Sequence, residues 1–283
     1  MQVSSTVFVA VLLAAVLHAS WNAVVKNSPD KHLGMTAVVL GHAPLAIVAA
    51  CLSPWPAAPG WPYMVAGAGL HFGYQLFLLW SYRAGDLSQV YPIARGTAPI
   101  ITAAVSVALL GERLTAAETI AVLLIAAGIL SLVLVRGRDG LRNPHAARLA
   151  LITSLFIAGY SLVDGAGARA AGTALGFYGW LATINAVVFA LFMRWTQPGL
   201  LSRVWPQARG VLAIGGGASF LAYAIVVWAF TQAPIALVAA LRETSIVFAL
   251  AIGAVVLRER LDVVKLAATF LAAAGAILLR FAR

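Results

Sequence analysis

The chain is a succession of long apolar stretches separated by short polar, glycine-rich or proline-rich breaks. Each stretch has about the 20 residues that an α-helix needs to cross a bilayer, and it lacks the alternating pattern of a membrane β-barrel strand. The pattern predicts an all-α polytopic membrane protein with ten transmembrane helices, at residues 5–26, 33–53, 61–82, 87–110, 115–135, 147–168, 172–193, 208–230, 235–257 and 262–281.

The composition favours the same fold class. Of 283 residues, 62% are hydrophobic and 10% are charged, and the mean hydropathy is +0.95. Soluble domains carry about 25% charged residues, so a soluble globular protein is excluded. The first stretch continues past Trp21 with no Lys or Arg before it, which indicates a first span rather than a cleaved signal peptide.

The net charge of +10 is a topology signal. The basic residues form no stripe interleaved with aromatic residues, so we expect no nucleic-acid partner. Thirteen of the 19 Lys and Arg residues lie in the loops that follow odd-numbered spans, four lie in other loops or at the termini, and two lie inside spans. Because cytoplasmic loops collect Lys and Arg, this count predicts a cytoplasmic segment 136–142 and both termini outside.

The two halves of the chain resemble each other. A shift of 147 residues lays 90–135 on 237–282 with 13 identities in 46 positions, among them Arg95 on Arg242 and Gly128 on Gly275. With five spans each, the halves 1–139 and 140–283 enter the membrane in opposite senses. This predicts two inverted five-helix repeats, the plan of many alternating-access transporters, with the substrate site between the repeats.

A short motif closes each half, and both copies resemble the signature of EamA-type transporters of the drug/metabolite transporter superfamily. The copies are Leu110-Gly111-Glu112-Arg113-Leu114-Thr115 followed by Gly128, and Glu259-Arg260-Leu261 followed by Gly275. The resemblance implies a ten-helix carrier of a bacterial-type inner membrane, with a cavity lined mainly by the third, fourth, eighth and ninth spans. Relatives move amino acids, other metabolites or drugs, and many bacterial members export. The family more often keeps its termini in the cytoplasm, which conflicts with the charge count. We interpret the motif glutamate as a complement to the N-terminal dipole of the following helix.

Ionisable residues inside spans are costly and are therefore candidates for function. Arg95 and Arg242 approach the midplane from opposite sides and can flank one site for an anionic substrate group. The alternative is an internal ion pair. Glu243 can then reach Arg95, but as a helix neighbour it is poorly placed for Arg242.

Further polar and aromatic candidates lie on the first, third and eighth spans. His18 and Asn22 share a helix face with Lys26, which can instead snorkel to the interface. The substrate-binding candidates in these spans are His18, Trp21, Asn22, His71, Tyr74, Gln75 and Trp228. The alternative is polar contact between helices. Tyr82 and Tyr91 are assigned to the interfacial aromatic belt, and Pro92 and Pro99 predict a kinked fourth span.

The sixth span carries Tyr160 and Asp164 on one face. Tyr160 is a further substrate-binding candidate. Asp164, with His18 or His71, is a candidate for carrying a coupling proton, because histidine titrates near physiological pH. In the alternative interpretation, Asp164 lies near the membrane edge, followed by a turn at 165–169.

The sequence holds no zinc-protease, nucleophile-elbow or phosphate-loop motif, and the single cysteine, Cys51, can form neither an internal disulfide nor a multi-thiolate metal site. We therefore expect no enzyme activity, no cofactor and no metal. The prediction is a secondary carrier that exports amino acids or related zwitterionic compounds by alternating access, as a monomer or weak dimer. The alternatives are uptake or exchange of organic anions, a channel, and an intramembrane enzyme.

Overall fold

The computed structural model describes residues 3–26, 28, 30–85, 87–134, 143–255 and 263–282. Every regular element in these ranges is helical. The first half contains α1 (Ser5–Lys26), α2 (Lys31–Leu52), α3 (Trp61–Ala84), α4 (Leu87–Leu109) and α5 (Ala116–Ser131). The second half contains α6 (Pro144–Ala171), α7 (Ala174–Thr196), α8 (Leu200–Gly210), α9 (Gly216–Gln232), α10 (Ile235–Arg242), α11 (Ser245–Val255) and α12 (Val263–Phe281).

Within the described residues, eight helical stretches are long and apolar enough to cross a membrane. The all-α polytopic class is therefore confirmed, whereas ten spans stay a prediction. The helix α3 lies outside this set despite its 24 residues, and α5 is a shorter apolar helix. The basic segment 136–142 and the second motif copy at 259–261 lie outside the described residues.

Short polar signals set several helix ends. At α5, the Thr115 hydroxyl accepts a hydrogen bond from the Glu118 N–H while the Glu118 carboxylate accepts one from the Thr115 N–H, which is a capping box. At α6, the Asn143 side chain accepts from the next turn and Pro144 occupies the first helical position. The helix α6 ends at Gly172, whose φ of 69° favours glycine.

The ninth predicted stretch is interrupted by a turn. The helix α10 ends at Arg242 and α11 begins at Ser245, with Glu243 and Thr244 in a turn between them. The N–H groups of both turn residues bond three residues back, to the carbonyls of Ala240 (3.0 Å) and Leu241 (3.1 Å). All eight residues of α10 are buried. An interrupted helix at membrane depth is tolerated only where protein or a cavity surrounds it, so the break marks a position in the protein interior.

The other irregular span is continuous. The eighth predicted stretch begins eight residues earlier than expected, at Leu200, and passes from α8 through a π-helical turn, Val211–Gly215, into α9. At this turn the chain packs closely on α2. The contact is so close that a Cβ on Gly41 would overlap the Leu212 carbonyl. By contrast, α4 stays helical through Pro92 and Pro99.

Helices of the first half pack against helices of the second half. The helix α3 packs on α6 as α1 packs on α9, while α2 packs on α7 and α5 packs on α12. At the α5–α12 contact, a Cβ on Gly128 would lie 2.8 Å from backbone atoms within 268–272, and a Cβ on Gly275 would lie 2.8 Å from backbone within 121–125. The 147-residue shift maps each of these contacts onto the other.

Candidate functional site

The break after α10 holds a buried cluster of three charged side chains. The Glu243 Oε2 atom lies 2.7 Å from Nε of Arg95 on α4. The other carboxylate oxygen, Oε1, accepts hydrogen bonds from Nε (3.3 Å) and Nη2 (3.2 Å) of Arg242. One carboxylate therefore bridges two arginines, one from each half of the chain.

The expectation that Glu243 is poorly placed for Arg242 is wrong. It assumed a continuous helix, on which adjacent side chains point apart. Glu243 instead follows α10 in a tighter turn whose N–H groups bond three residues back, and from this turn its carboxylate reaches Arg242. The internal ion pair expected between Glu243 and Arg95 is present.

The cluster is charged overall and incompletely paired. Two guanidinium groups and one carboxylate sum to a charge of +1, and the three side chains are at most 4% exposed. The Nε and Nη2 atoms of Arg95 are both buried, and neither has a hydrogen-bond partner within the described part of the chain. Buried charge without a full set of partners is unfavourable, so the cluster can accept one more anionic group.

Aromatic faces surround the arginines. The Arg242 Cζ lies 5.6 Å from the ring centre of Tyr160 and 5.8 Å from that of Tyr223. The Arg95 Cζ lies 6.0 Å from the ring centre of Tyr91. These are cation–π distances. Tyr91, which the sequence assigns to the interfacial belt, thus lies beside a buried arginine instead.

A second polar cluster is centred on Asp164, which is fully buried. Its Oδ2 atom lies 2.8 Å from Nε2 of His71 on α3 and accepts a hydrogen bond from the Tyr223 hydroxyl on α9 at 2.7 Å. Its Oδ1 atom has no hydrogen-bond partner within the described residues. The turn expected at 165–169 is wrong, because α6 continues as helix to Ala171.

Two tyrosines connect the clusters. Tyr160 stacks on His71, with ring centres 4.2 Å apart and an interplanar angle of 20°, and its ring also faces Arg242. Tyr223 bonds Asp164 and also faces Arg242. Tyr74 meets the edge of Tyr160 at 5.5 Å, so the structure brings this third-span candidate into the same group.

A small cavity opens beside this group. It has about 160 Å³ of empty volume and is lined by Ala14, His18, Ala222, Tyr223, Val226 and Arg242. Part of this volume is open to solvent, and the room inside it for water-sized molecules is about 10 Å³, roughly enough for one water, so the cavity is narrow in this conformation. It lies between α1 of the first half and α9 and α10 of the second.

The first-span candidates differ in their surroundings. The His18 side chain lines the cavity, and its Nδ1 atom accepts a hydrogen bond from Nε1 of Trp21 at 3.2 Å. The Asn22 amide instead donates to the His18 carbonyl at 2.7 Å, which is a local contact within α1. The Lys26 side chain lies outside the described part of the structure.

Two further candidates lie apart from these contacts. Gln75 is buried, and its Oε1 atom has no hydrogen-bond partner among the described residues. Trp228 packs against an apolar cluster formed by α1, α5, α10 and α12. Sequence reasoning missed Tyr223, although a tyrosine near the middle of a span, far from the interfaces where tyrosines concentrate, is a usable signal.

The motif glutamate Glu112 caps a helix other than the one expected. Its carboxylate accepts hydrogen bonds from the N–H groups of Ile235 (2.7 Å) and Ala236 (3.3 Å), at the start of α10. Glu118 supplies the cap of α5 instead. Arg169 at the end of α6 contacts Glu112 and donates to the carbonyls that end α9, those of Phe230 (2.8 Å) and Ala233 (2.9 Å). Glu112 thus joins the first half to the broken span of the second.

The described residues contain no group of three or more His, Cys, Asp or Glu side chains arranged to hold a metal ion.

Comparison with known proteins shows a similarity of fold to solved structures. No family model matches the chain, and no curated protein matches it. Twenty-seven chains of solved structures match. One of them, described only as "Crystal structure of protein", superposes with a TM-score of 0.75 at 19% identity, over 97% of this chain and 96% of that chain. At this identity the similarity extends to the fold alone.

Proposed function

We propose that this protein is a secondary active carrier of small metabolites, of the EamA type, which works by alternating access. The observation that carries the proposal is the buried Arg95–Glu243–Arg242 cluster at the interruption between α10 and α11. Interrupted helices with buried charges near the midplane are typical of transporter sites, since the freed backbone groups and charges must face protein or a cavity.

The packing between the halves supports the inverted repeat on which this mechanism depends. The reciprocal approaches of Gly128 to 268–272 and of Gly275 to 121–125 are those that a two-fold axis between the halves requires. Arg95 and Arg242 are equivalent under the same shift, and both contact Glu243. Rocking of one half against the other changes the contacts at such an interface.

The chemistry of the site favours a substrate with a carboxylate and a small body. The two arginines suit an anionic group, and the rings of Tyr160 and Tyr223 suit an apolar or cationic part. We propose export of amino acids or related zwitterions. Uptake or exchange of carboxylated or phosphorylated metabolites is the second candidate, favoured by the net positive charge of the cluster.

The test combines binding with transport. A thermal-shift screen of the purified protein against amino acids, phosphorylated metabolites and quaternary amines identifies ligands, because a ligand that binds the folded state raises its stability. Labelled hits are then measured by counterflow in proteoliposomes. Saturable uptake stimulated by substrate on the opposite side supports a carrier, whereas non-saturating flux indicates a channel and chemical conversion of the ligand indicates an enzyme.

A further inference from the structure

We infer that a substrate carboxylate replaces the Glu243 carboxylate between Arg95 and Arg242, and that Glu243 takes up one proton when this occurs. The inference rests on the proposed carrier function and names how substrate and proton are linked at its site.

Glu243 occupies the donors that a carboxylate ligand needs. A side-on arginine–carboxylate pair uses two parallel N–H groups of one guanidinium. On Arg242, the Nε and Nη2 donors both point to the single Oε1 atom of Glu243. On Arg95, Nε lies 2.7 Å from Oε2 at ion-pair distance, but neither Nε nor Nη2 has a hydrogen-bond partner in the described structure. A ligand that binds either arginine side-on therefore competes with Glu243 for the same N–H groups.

Arg242 is where the competition begins. It borders the cavity together with His18 and Tyr223, so a ligand in the cavity meets its guanidinium directly. The unpaired Nη2 of Arg95 offers the second arginine a contact that Glu243 does not satisfy. A carboxylate that reaches both Arg242 and this Nη2 pairs the two arginines more completely than Glu243 does.

Among the described residues, a displaced Glu243 carboxylate has no ion-pair partner besides the two arginines. The side chain is 1% exposed, and its described ion-pair partners are the same two arginines. An unpaired buried carboxylate is strongly unfavourable, whereas a neutral carboxylic acid is not. The proton comes from water on the side to which the cavity is open and binds a Glu243 carboxylate oxygen. The substrate adds one negative charge and the proton one positive charge, so the cluster keeps its charge of +1.

Other titratable groups surround the cluster on the helices that pack against it. The groups nearest to the two arginines on neighbouring helices are His18, Tyr74, Tyr91, Tyr160 and Tyr223. The described parts of α5 and α12 contribute apolar side chains to the same core as α10. Asp164 and His71 pair with each other behind Tyr223. His18 and Asp164 are therefore the rival sites for the proton.

The experiment uses three probes with the same three-carbon skeleton. Sodium propionate carries the carboxylate, L-alanine adds an ammonium group, and propionamide lacks the negative charge. Calorimetric titration of the detergent-purified protein at constant ionic strength should show binding of the first two and none of propionamide. Uptake of one proton per ligand weakens binding about tenfold for each unit by which the pH rises. Titration in two buffers of different ionisation enthalpy should give about one proton taken up per ligand.

Variants then locate the proton. Glu243→Gln should bind propionate at the same strength across the pH range, and Arg95→Gln and Arg242→Gln should not bind it. Asp164→Asn and His18→Gln should keep the pH dependence, whatever their affinity. The exposed ion pair of Arg203 with Asp30, 3.1 Å apart, provides matched controls in Arg203→Gln and Asp30→Asn, which should behave as the wild type.

Binding without proton uptake in the wild type overturns the inference, as does a pH dependence that persists in Glu243→Gln or disappears in Asp164→Asn or His18→Gln. Failure of both propionate and L-alanine to bind also overturns it. If Glu243→Gln does not fold, the proton count on the wild type decides. Counterflow without proton uptake contradicts this inference alone, whereas proton-linked binding without counterflow contradicts the carrier function.

Discussion

The carboxylate of Asp164 connects three helices through one oxygen atom. Its Oδ2 contacts His71 of α3 and the Tyr223 hydroxyl of α9, while the residue itself belongs to α6. Each of the two partners directs a polar group to this buried atom. The group therefore stabilises the packing of these helices in addition to any part in transport.

Replacement of Asp164 should lower stability in proportion to the acceptors removed. Asp164→Ala leaves the His71 and Tyr223 groups without this acceptor, at a cost of about 1–3 kcal/mol for each unsatisfied group. Asp164→Asn keeps an oxygen acceptor and should cost less. Thermal unfolding in detergent measures both, with Leu155→Ala at an exposed position of the same helix as control. Equal melting temperatures for Asp164→Ala and the control would contradict this assignment.

The sequence identifies the buried charged residues but not their partners. Arg95, Arg242 and Asp164 stand out because charges are rare in spans. Spacing along one helix cannot tell whether Asp164 meets His18 or His71, since that depends on the rotation of neighbouring helices. The pairing of Glu243 with both arginines depends in addition on the break after α10.

Among the elements, α10 is held at both ends by polar contacts. Glu112 caps its first turn from the other half of the chain, and Glu243 follows its last residue. Glu112 reaches α10 from a turn that follows α4. In this turn the Glu112 N–H donates to the Ser106 carbonyl, and Gly111 has a φ of 67°. A positive φ of this size favours glycine, which explains the glycine in the motif.

Loss of the Glu112 carboxylate should destabilise α10. Glu112→Ala leaves the Ile235 and Ala236 N–H groups without their cap, and losses of helix caps cost about 0.5–2 kcal/mol. Arg113→Ala, at the exposed next position of the same turn, is the matched control. Thermal unfolding compares the two variants, and equal stability would show that the cap contributes nothing.

The contact of α5 with α12 should be equally sensitive from both sides. Gly128→Ala and Gly275→Ala each place a Cβ 2.8 Å from backbone atoms of the opposite helix, and overpacking of this kind costs typically 1–3 kcal/mol. Gly69→Ala, which meets open space, is the control. Similar losses in the two variants are expected from the two-fold relation. A loss in one variant only would contradict it.

Most helix positions follow from the apolar pattern, and the irregular ones do not. The first stretch predicted at 5–26 is α1, Ser5–Lys26, and the stretch at 262–281 contains α12, Val263–Phe281. Windows of about 20 apolar residues cannot register a break of two residues or a π-helical turn, because neither changes the mean hydropathy. The polar run Arg242-Glu243-Thr244-Ser245 is the local signal for the interruption in the ninth stretch.

At the scale of the whole molecule, the two halves are tied together by α10. This helix belongs to the second half, is capped by Glu112 of the first, and ends beside Arg95 of the first. A carrier must change such contacts when the halves rock. The sequence repeat predicts the equivalence of Arg95 and Arg242, but Gly96 stands at the position equivalent to Glu243, so one acid serves both arginines.

The orientation of the molecule is open to a direct labelling test. The charge count predicts that segment 136–142, outside the described residues, is cytoplasmic. Gly140→Cys in a background with the exposed Cys51 replaced by alanine should react with a membrane-impermeant maleimide only after the cells are opened. Labelling in intact cells would reverse the orientation and place the termini inside.

We propose that the chain is a carrier whose site includes the buried arginines. Counterflow in proteoliposomes tests this proposal most directly. With a ligand from the thermal-shift screen, wild-type vesicles preloaded with unlabelled ligand should accumulate label transiently, with saturation. Arg242→Gln should abolish the accumulation, and the exposed control Arg203→Gln should retain it. Flux that rises linearly with concentration would contradict the carrier function, and accumulation that is unchanged in Arg242→Gln would contradict the arginine site.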